Sequence, residues 1–297
     1  MNITITGASG FVGQNLKLYL NDSHQLNTLS VRYIANQKFQ IDSDAIIHLA
    51  GKAHDLKKVS TLEDYYIANF ELTKQLFDAF LESEMKVFIF MSTVKAVADS
   101  IEGTLTEETI PNPITPYGIA KYQAEVYILS KEIPPNKRVF ILRPCMIHGS
   151  GNKGNLNLLY NFVSKGLPWP LGSFENNRSF LSIENLCFVI KNLLEDETII
   201  SGVYQVADDK PLSTNELIKI LDKSLNKKTL ILNIPQLFII AVAKFGDILH
   251  LSLNNERLQK LTEDYVVSNH KIKSVINKSL PVSSEEGLLK TFQSFKK

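Results

Sequence analysis

Residues 2–13 read NITITGASGFVG, and the fold turns on how this stretch divides. Asn2 to Thr6 is short and apolar enough for a buried strand. From Phe11 onward, FVGQNLKLYL has helical spacing. Gly7, Gly10 and Gly13 lie between the two. A dinucleotide site needs this arrangement. One glycine allows the tight turn, one lets a pyrophosphate approach the backbone, and one lets helix and strand pack closely. The phosphates then sit at the helix N-terminus.

The same alternation continues along the chain. QLNTLSV (25–31), AIIHLA (45–50), KVFIFMS (86–92) and RVFILRP (138–144) read as strands. YYIANFELTKQLFDAFLES (65–83) and YGIAKYQAEVYILSKE (117–132) read as helices. Strands alternating with helices imply βαβ units and a parallel sheet covered on both faces. After Pro144 the pattern loosens, and residues 149–180 are rich in Gly, Asn and Pro. A strand GVYQVA (202–207) and a helix from Ser213 follow, the latter with a Ser213/Glu216 capping box. The expected fold is α/β: a Rossmann, doubly wound parallel sheet with a smaller C-terminal substrate-binding lobe. Residues 1–150 form the NAD(P)-binding domain. Residues 151–297 are mainly the lobe, interleaved with it.

The chain has 297 residues, 44% hydrophobic, with a net charge of +1. That balance gives no footprint for nucleic acid or a membrane surface. Cys145 and Cys187 are far apart, which argues against a disulfide scaffold or a zinc site and fits the cytoplasm. The longest apolar run, LFIIAVA (237–243), is far shorter than the ~20 residues of a membrane span and reads as a buried helix.

The second strand ends LSVR (29–32). A carboxylate here would bind an adenosine ribose 2′-hydroxyl. Arg32 instead matches a 2′-phosphate, which favours NADP(H) over NAD(H). Tyr117 and Lys121, in YGIAK, share a helix face. An ammonium beside a phenol lowers its pKa and makes it a usable acid/base. Ser92 and Thr93 end the strand just before, where ligands bind in such sheets.

These motifs together resemble the extended short-chain dehydrogenase/reductases, the NAD-dependent epimerase/dehydratase family, over essentially the whole chain. Gly-x-x-Gly-x-x-Gly is similar to its cofactor turn. HLAG (48–51), NFELT (69–73), ILRPCMIHG (141–149) and NRSFLSIENL (177–186) resemble its further segments. The resemblance implies Thr93, Tyr117 and Lys121 as the catalytic trio, with Ser92 packing or touching the cofactor. It implies a cofactor held by Gly7, Ser9, Gly10, Phe11, Val12, Gly13, Arg32, Leu49, Ala50, Gly51, Asn69, Tyr117 and Lys121. No metal is implied. Some family features differ. AVA (96–98) replaces Val-Tyr-Gly, and His148 replaces a tyrosine. The stretch from Arg32 to Asp44 is too short for the usual helix, so Gln40 and Ile41 would stand where an Asp-hydrophobic pair holds the adenine.

Asn155 in GNKGNLNLL and Arg178 in NNRSF resemble the diphosphate ligands of UDP-sugar enzymes, and Thr93 would meet the sugar. PWPLG (168–172) looks like the strand under the uracil. A 4,6-dehydratase carries Asp-Glu after its threonine. Here Val94 and Lys95 follow Thr93, which argues against dehydration. Two reactions at C4 of a UDP-sugar stay open. One is a 4-ketoreductase of bacterial polysaccharide precursors using NADPH, which the absent acidic ribose ligand favours. The other is a 4-epimerase with bound NAD. A non-catalytic NADP-binding regulator is the reading of a different class. By resemblance, helices beginning near Tyr65 and Tyr117 pair two chains into a homodimer.

Overall fold

The computed structural model describes residues 1–53, 61–152, 154–248 and 254–295. The first half runs β1 (Asn2–Thr6), α1 (Phe11–Leu20), β2 (Gln25–Leu29), β3 (Ala45–His48), α2 (Leu62–Tyr66) and α3 (Leu72–Glu82). Next come β4 (Val87–Met91), β5 (Thr104–Leu105), α4 (Pro116–Leu129), β6 (Arg138–Pro144) and β7 (Met146–His148). Then follow α5 (Asn155–Ser164), β8 (Phe180–Ser182), α6 (Ile183–Glu195), β9 (Gly202–Val206), α7 (Thr214–Leu225) and α8 (Gln236–Ile248). The chain finishes with α9 (Asn255–Thr262), β10 (Val266–Val267), α10 (His270–Ile276) and α11 (Ser284–Ser294).

Six strands pair in parallel in the order β2-β1-β3-β4-β6-β9. The order reverses between β1 and β3. In open α/β sheets the crevice outside the carboxyl ends at such a point receives the ligand. The central strands are buried on both faces, as β3 and β4 show residue by residue. Successive side chains go to opposite layers. Ile47, Ile89 and Phe140 pack with Leu16 and Leu20 of α1 and with Leu186 and Ile190 of α6. Ile46, Phe88 and Ile141 pack with Leu76, Phe77 and Phe80 of α3 and with Ile128 of α4. A third cluster joins α5, α7, α8 and α11 through Leu159, Leu217, Leu221, Ile239, Leu288 and Phe292. β9 and α6 belong to the later half of the sequence yet complete the sheet and its cover.

The helix from Ser213 has its capping box with Glu216. Residues between Leu29 and Ala45 form no helix, as their number demands. Other elements depart from expectation. The helix over 65–83 is interrupted by a π segment, Ile67–Glu71, which aims Asn69 inward. PWPLG is not a regular strand: Trp169 bridges Ile231 and Leu171 bridges Asn233, singly. Pro168 and Pro170 lack the N–H that a continuous ladder needs. LFIIAVA is not a buried helix. Ile239 and Ala243 are covered, but Leu237, Phe238 and Phe245 are 82%, 62% and 65% exposed. An all-apolar run presents hydrophobic groups around the whole helix, while the lobe covers only one side. No helix among the described residues is long and apolar enough to cross a membrane.

Candidate active site

Gly7 has φ +67°, a left-handed conformation that favours glycine, and its carbonyl accepts from Gly10 N at 3.0 Å. At Gly13 a Cβ would stand 2.5 Å from the Gly7 carbonyl oxygen, so only glycine lets α1 lie this close to the turn. No side chain caps the start of α1. Its first N–H groups therefore remain available to an anion, the condition a pyrophosphate requires. Ser9 and Gly10 are exposed there, and Phe11 and Val12 are half-buried. Leu49, Ala50 and Gly51, just past β3, close against the turn. Ala50 N donates to Thr6 Oγ1 at 3.2 Å. These features fit a dinucleotide. Arg32 is exposed, three residues beyond β2. Asn69 is wholly buried and clamps the loop after β3: its Oδ1 accepts from Lys52 N and its Nδ2 donates to Lys52 O, each at 3.0 Å.

Past β4, Thr93 caps a short 3-10 turn (Val94–Ala96), with its Oγ1 accepting from Lys95 N at 3.2 Å. Tyr117 sits in the first turn of α4, which Thr115 caps and Pro116 starts. The Thr93 hydroxyl lies near enough to the Tyr117 phenol to favour its ionised form. Lys121, one turn later, is 3% exposed. Its ammonium donates to the Met91 carbonyl at 2.8 Å and lies 4.6 Å over the Phe90 ring.

The electrostatics correct the expectation that Lys121 lowers the tyrosine pKa. Burial pushes the Tyr117 phenol up to about 12, against a lowering hydrogen bond from Thr93. Burial likewise brings Lys121 down to about 7, with Glu125 opposing. The reason is geometric. The Lys121 head group is drawn to the end of β4, and the phenol loses its water without gaining a dominant cation. His48, wholly buried and stacked on Phe90, is held well below the usual imidazole range by burial and then by Lys121. It ties β1 to α3 through Thr6 and Thr73, at 2.8 and 2.9 Å.

Sequence reading missed one network. Ser92 Oγ donates to Glu125, and Arg143 grips the same carboxylate through Nε at 3.0 and 3.1 Å and through a terminal nitrogen at 2.5 Å. Its signal was visible: Glu125 and Arg143 are charges inside two apolar patterns, AKYQAEVYIL and RVFILRP. Ser92 is buried beside this carboxylate.

Of the residues expected to meet substrate, Asn155 is exposed at the start of α5. Lys153 of the same motif lies outside the described residues. Arg178 is half-buried; its backbone bridges Leu212 and Tyr265, and its side chain donates to the Lys260 carbonyl at 2.5 Å. No hydrogen bond joins Asn155 to Arg178 among the described residues. His148 is wholly buried between Thr291, at 2.9 Å, and Asp208, at 3.5 Å, a joint between sheet and lobe.

Lys121 makes stability depend on pH. Its folded pKa lies below the unfolded value, so between about 7 and 10.5 the unfolded chain binds more protons. Stability from this group therefore rises with pH across that window and is flat below it. Unfolding of wild type and Lys121→Met at several pH values checks this. The stability of Lys121→Met relative to wild type is expected to be greatest below pH 7 and to shrink towards pH 10. A difference independent of pH would contradict it.

Residues 3–207 match the family model described as NAD dependent epimerase/dehydratase family. A UDP-glucose 4-epimerase of Vibrio cholerae is 30% identical, covering 99% of this chain and 95% of that protein. A GDP-6-deoxy-D-mannose reductase of Pseudomonas aeruginosa is 27% identical, covering 73% of this chain and 78% of that protein. The crystal structure of a UDP-glucuronic acid 4-epimerase from Bacillus cereus in complex with NAD superposes with a TM-score of 0.74, at 20% identity over 100% of this chain and 99% of that one. That of RMD from Pseudomonas aeruginosa complexed with NADPH gives 0.71, at 21% identity over 99% and 98%. With its glycine turn, parallel sheet and family match over most of its length, the chain belongs to the NAD dependent epimerase/dehydratase family, extended short-chain dehydrogenase/reductases whose members include nucleotide-sugar epimerases and reductases.

Proposed function

We propose that the chain catalyses NAD(P)-dependent oxidoreduction at C4 of a UDP-sugar, as a 4-ketoreductase using NADP(H). The observation that carries this reading is the end of β2. Ser30, Val31 and the exposed Arg32 offer no carboxylate to a ribose 2′-hydroxyl, and the guanidinium suits a 2′-phosphate. A nicotinamide dinucleotide supplies hydride to C4 when bound. Gly7, Ser9, Gly10, Phe11, Val12 and Gly13 receive its phosphates. Leu49, Ala50, Gly51 and Asn69 form the wall beside it.

Thr93 hydrogen-bonds the C4 oxygen. Tyr117 gives that oxygen its proton as the carbon is reduced. With its pKa raised to about 12, the phenol is protonated at neutral pH, the state that donation needs. Lys121 orients the nicotinamide ribose. Asn155 and Arg178 hold the UDP diphosphate. Arg178 spends one of its five N–H donors on Lys260, which leaves a fork for the anion.

A second reading, a 4-epimerase that retains NAD, is favoured by the Vibrio cholerae relative, similar along nearly the entire chain. Mass spectrometry of ligand released from the denatured protein separates the two. Empty protein or loosely held NADP(H) is expected, and stoichiometric NAD⁺ would replace the reductase by the epimerase. Tyr117→Phe is expected to slow reduction of a UDP-4-keto-6-deoxy-N-acetylhexosamine by NADPH about 10²–10⁴-fold. An unchanged rate would refute the role of Tyr117. Full biological function without this residue would favour the non-catalytic NADP-binding regulator.

The active form is a homodimer on this reading. Leu62 and Tyr66 of α2, and Ile119, Val126 and Leu129 of α4, are exposed apolar groups on adjoining helices. Such a stripe suits a two-fold helix interface. Light scattering is expected to give twice the 33.4 kDa of the chain, and the double change Val126→Glu, Leu129→Glu is expected to give the single-chain mass. A wild-type protein that is monomeric throughout would remove the proposal.

A further inference from the structure

Helix α4 places Tyr117, Lys121 and Glu125 at four-residue steps, along one side. Lys121 and Glu125 are both buried, at 3% and 0% exposure. The end of β4 holds them with consecutive residues. Met91 O takes the Lys121 ammonium, and the Ser92 hydroxyl donates to the Glu125 carboxylate. Ser92 N donates to Leu142 O at 2.8 Å, which fixes this end of β4 against β6. Arg143, next along β6, grips both Glu125 oxygens.

His48 on β3 is kept neutral by burial and offers no negative charge. Tyr117 on α4 is a protonated phenol at neutral pH. Lys52, past β3, pairs with Asp64 at 3.5 Å. Arg143 on β6 is a cation spent on Glu125. Among the described residues, Glu125 is the group that opposes the loss of the Lys121 charge. A buried ammonium without such a partner gives up its proton.

We propose that Glu125 is a positioning residue: its carboxylate is the counter-charge that supports the Lys121 ammonium one turn from Tyr117, and Ser92 and Arg143 fix it there. The two charges of β6 and α4 then do more than join the helix to the sheet. A well-packed apolar pair would join them equally well. Only a carboxylate supports the ammonium. The consequence for turnover rests on the role given to Lys121 above; the counter-charge itself does not.

The test uses the full chain, free of added cofactor, with lysines carrying ¹³C at Cε. The NMR resonance of Lys121 is identified by its loss in Lys121→Arg and followed against pH. Wild type is expected to show this resonance titrating near pH 7. In Glu125→Gln the midpoint is expected to fall by about one unit or more, tenfold in the protonation constant. Because that change strands Arg143 in the interior, Glu125→Gln with Arg143→Gln is measured as well; it removes both buried charges and is expected to move the midpoint the same way. A midpoint unmoved in the folded double variant overturns the proposal, since a purely structural pair would leave Lys121 untouched. The pH profile of kcat is then read on the same proteins. A midpoint that moves while the profile stays in place keeps the counter-charge and refutes the catalytic role of Lys121.

Discussion

The central strands are buried on both faces, and this constraint governs everything else. Ile46 and Ile47, or Phe88 and Ile89, face opposite layers and leave no open surface for a ligand. Chemistry is confined to the strand ends. The turn after β1, the loop after β3 and Thr93 after β4 all lie at carboxyl ends of neighbouring strands. Two helices bring their first turns to the same edge. α1 arrives uncapped and closely packed by virtue of Gly13, and α4 arrives capped by Thr115 with Tyr117 in its opening turn.

That edge is dry. Burial raises the Tyr117 phenol, lowers Lys121 and keeps His48 neutral, so one physical cause sets three protonation states. A protein could remove the strain by making Lys121 apolar. The structure instead surrounds it with a carbonyl, an aromatic face and a carboxylate, and holds the carboxylate with Ser92 and Arg143. Sites that need shifted pKa values accept such costs.

Much of this was legible in the sequence because it is local. Glycines at 7, 10 and 13 specify a turn, and Tyr117 and Lys121 at four-residue spacing specify a shared helix face. Short apolar runs between helical patterns mark the strands. The failures are equally physical. LFIIAVA reads as buried, but whether a helix face is covered depends on what packs over it, and here Leu237, Phe238 and Phe245 remain outside. PWPLG reads as a strand, but its prolines permit only single bridges. Arg178 reads as a diphosphate ligand, and its contact with the carbonyl of Lys260, 82 residues away, has no signal in the sequence.

The sequence alone thus determined the fold class, the glycine turn and which groups could act as acid or base, because these follow from short-range spacing and from side-chain chemistry. Tertiary structure decided their state. The Lys121 ammonium goes to Met91 instead of to the phenol because β4 and α4 meet in that register, and Glu125, on the same helix, is fixed by Ser92 and Arg143. Charge states in a low-dielectric interior depend on neighbours in space, and the folded chain supplies Arg143 and His48 from strands remote in sequence.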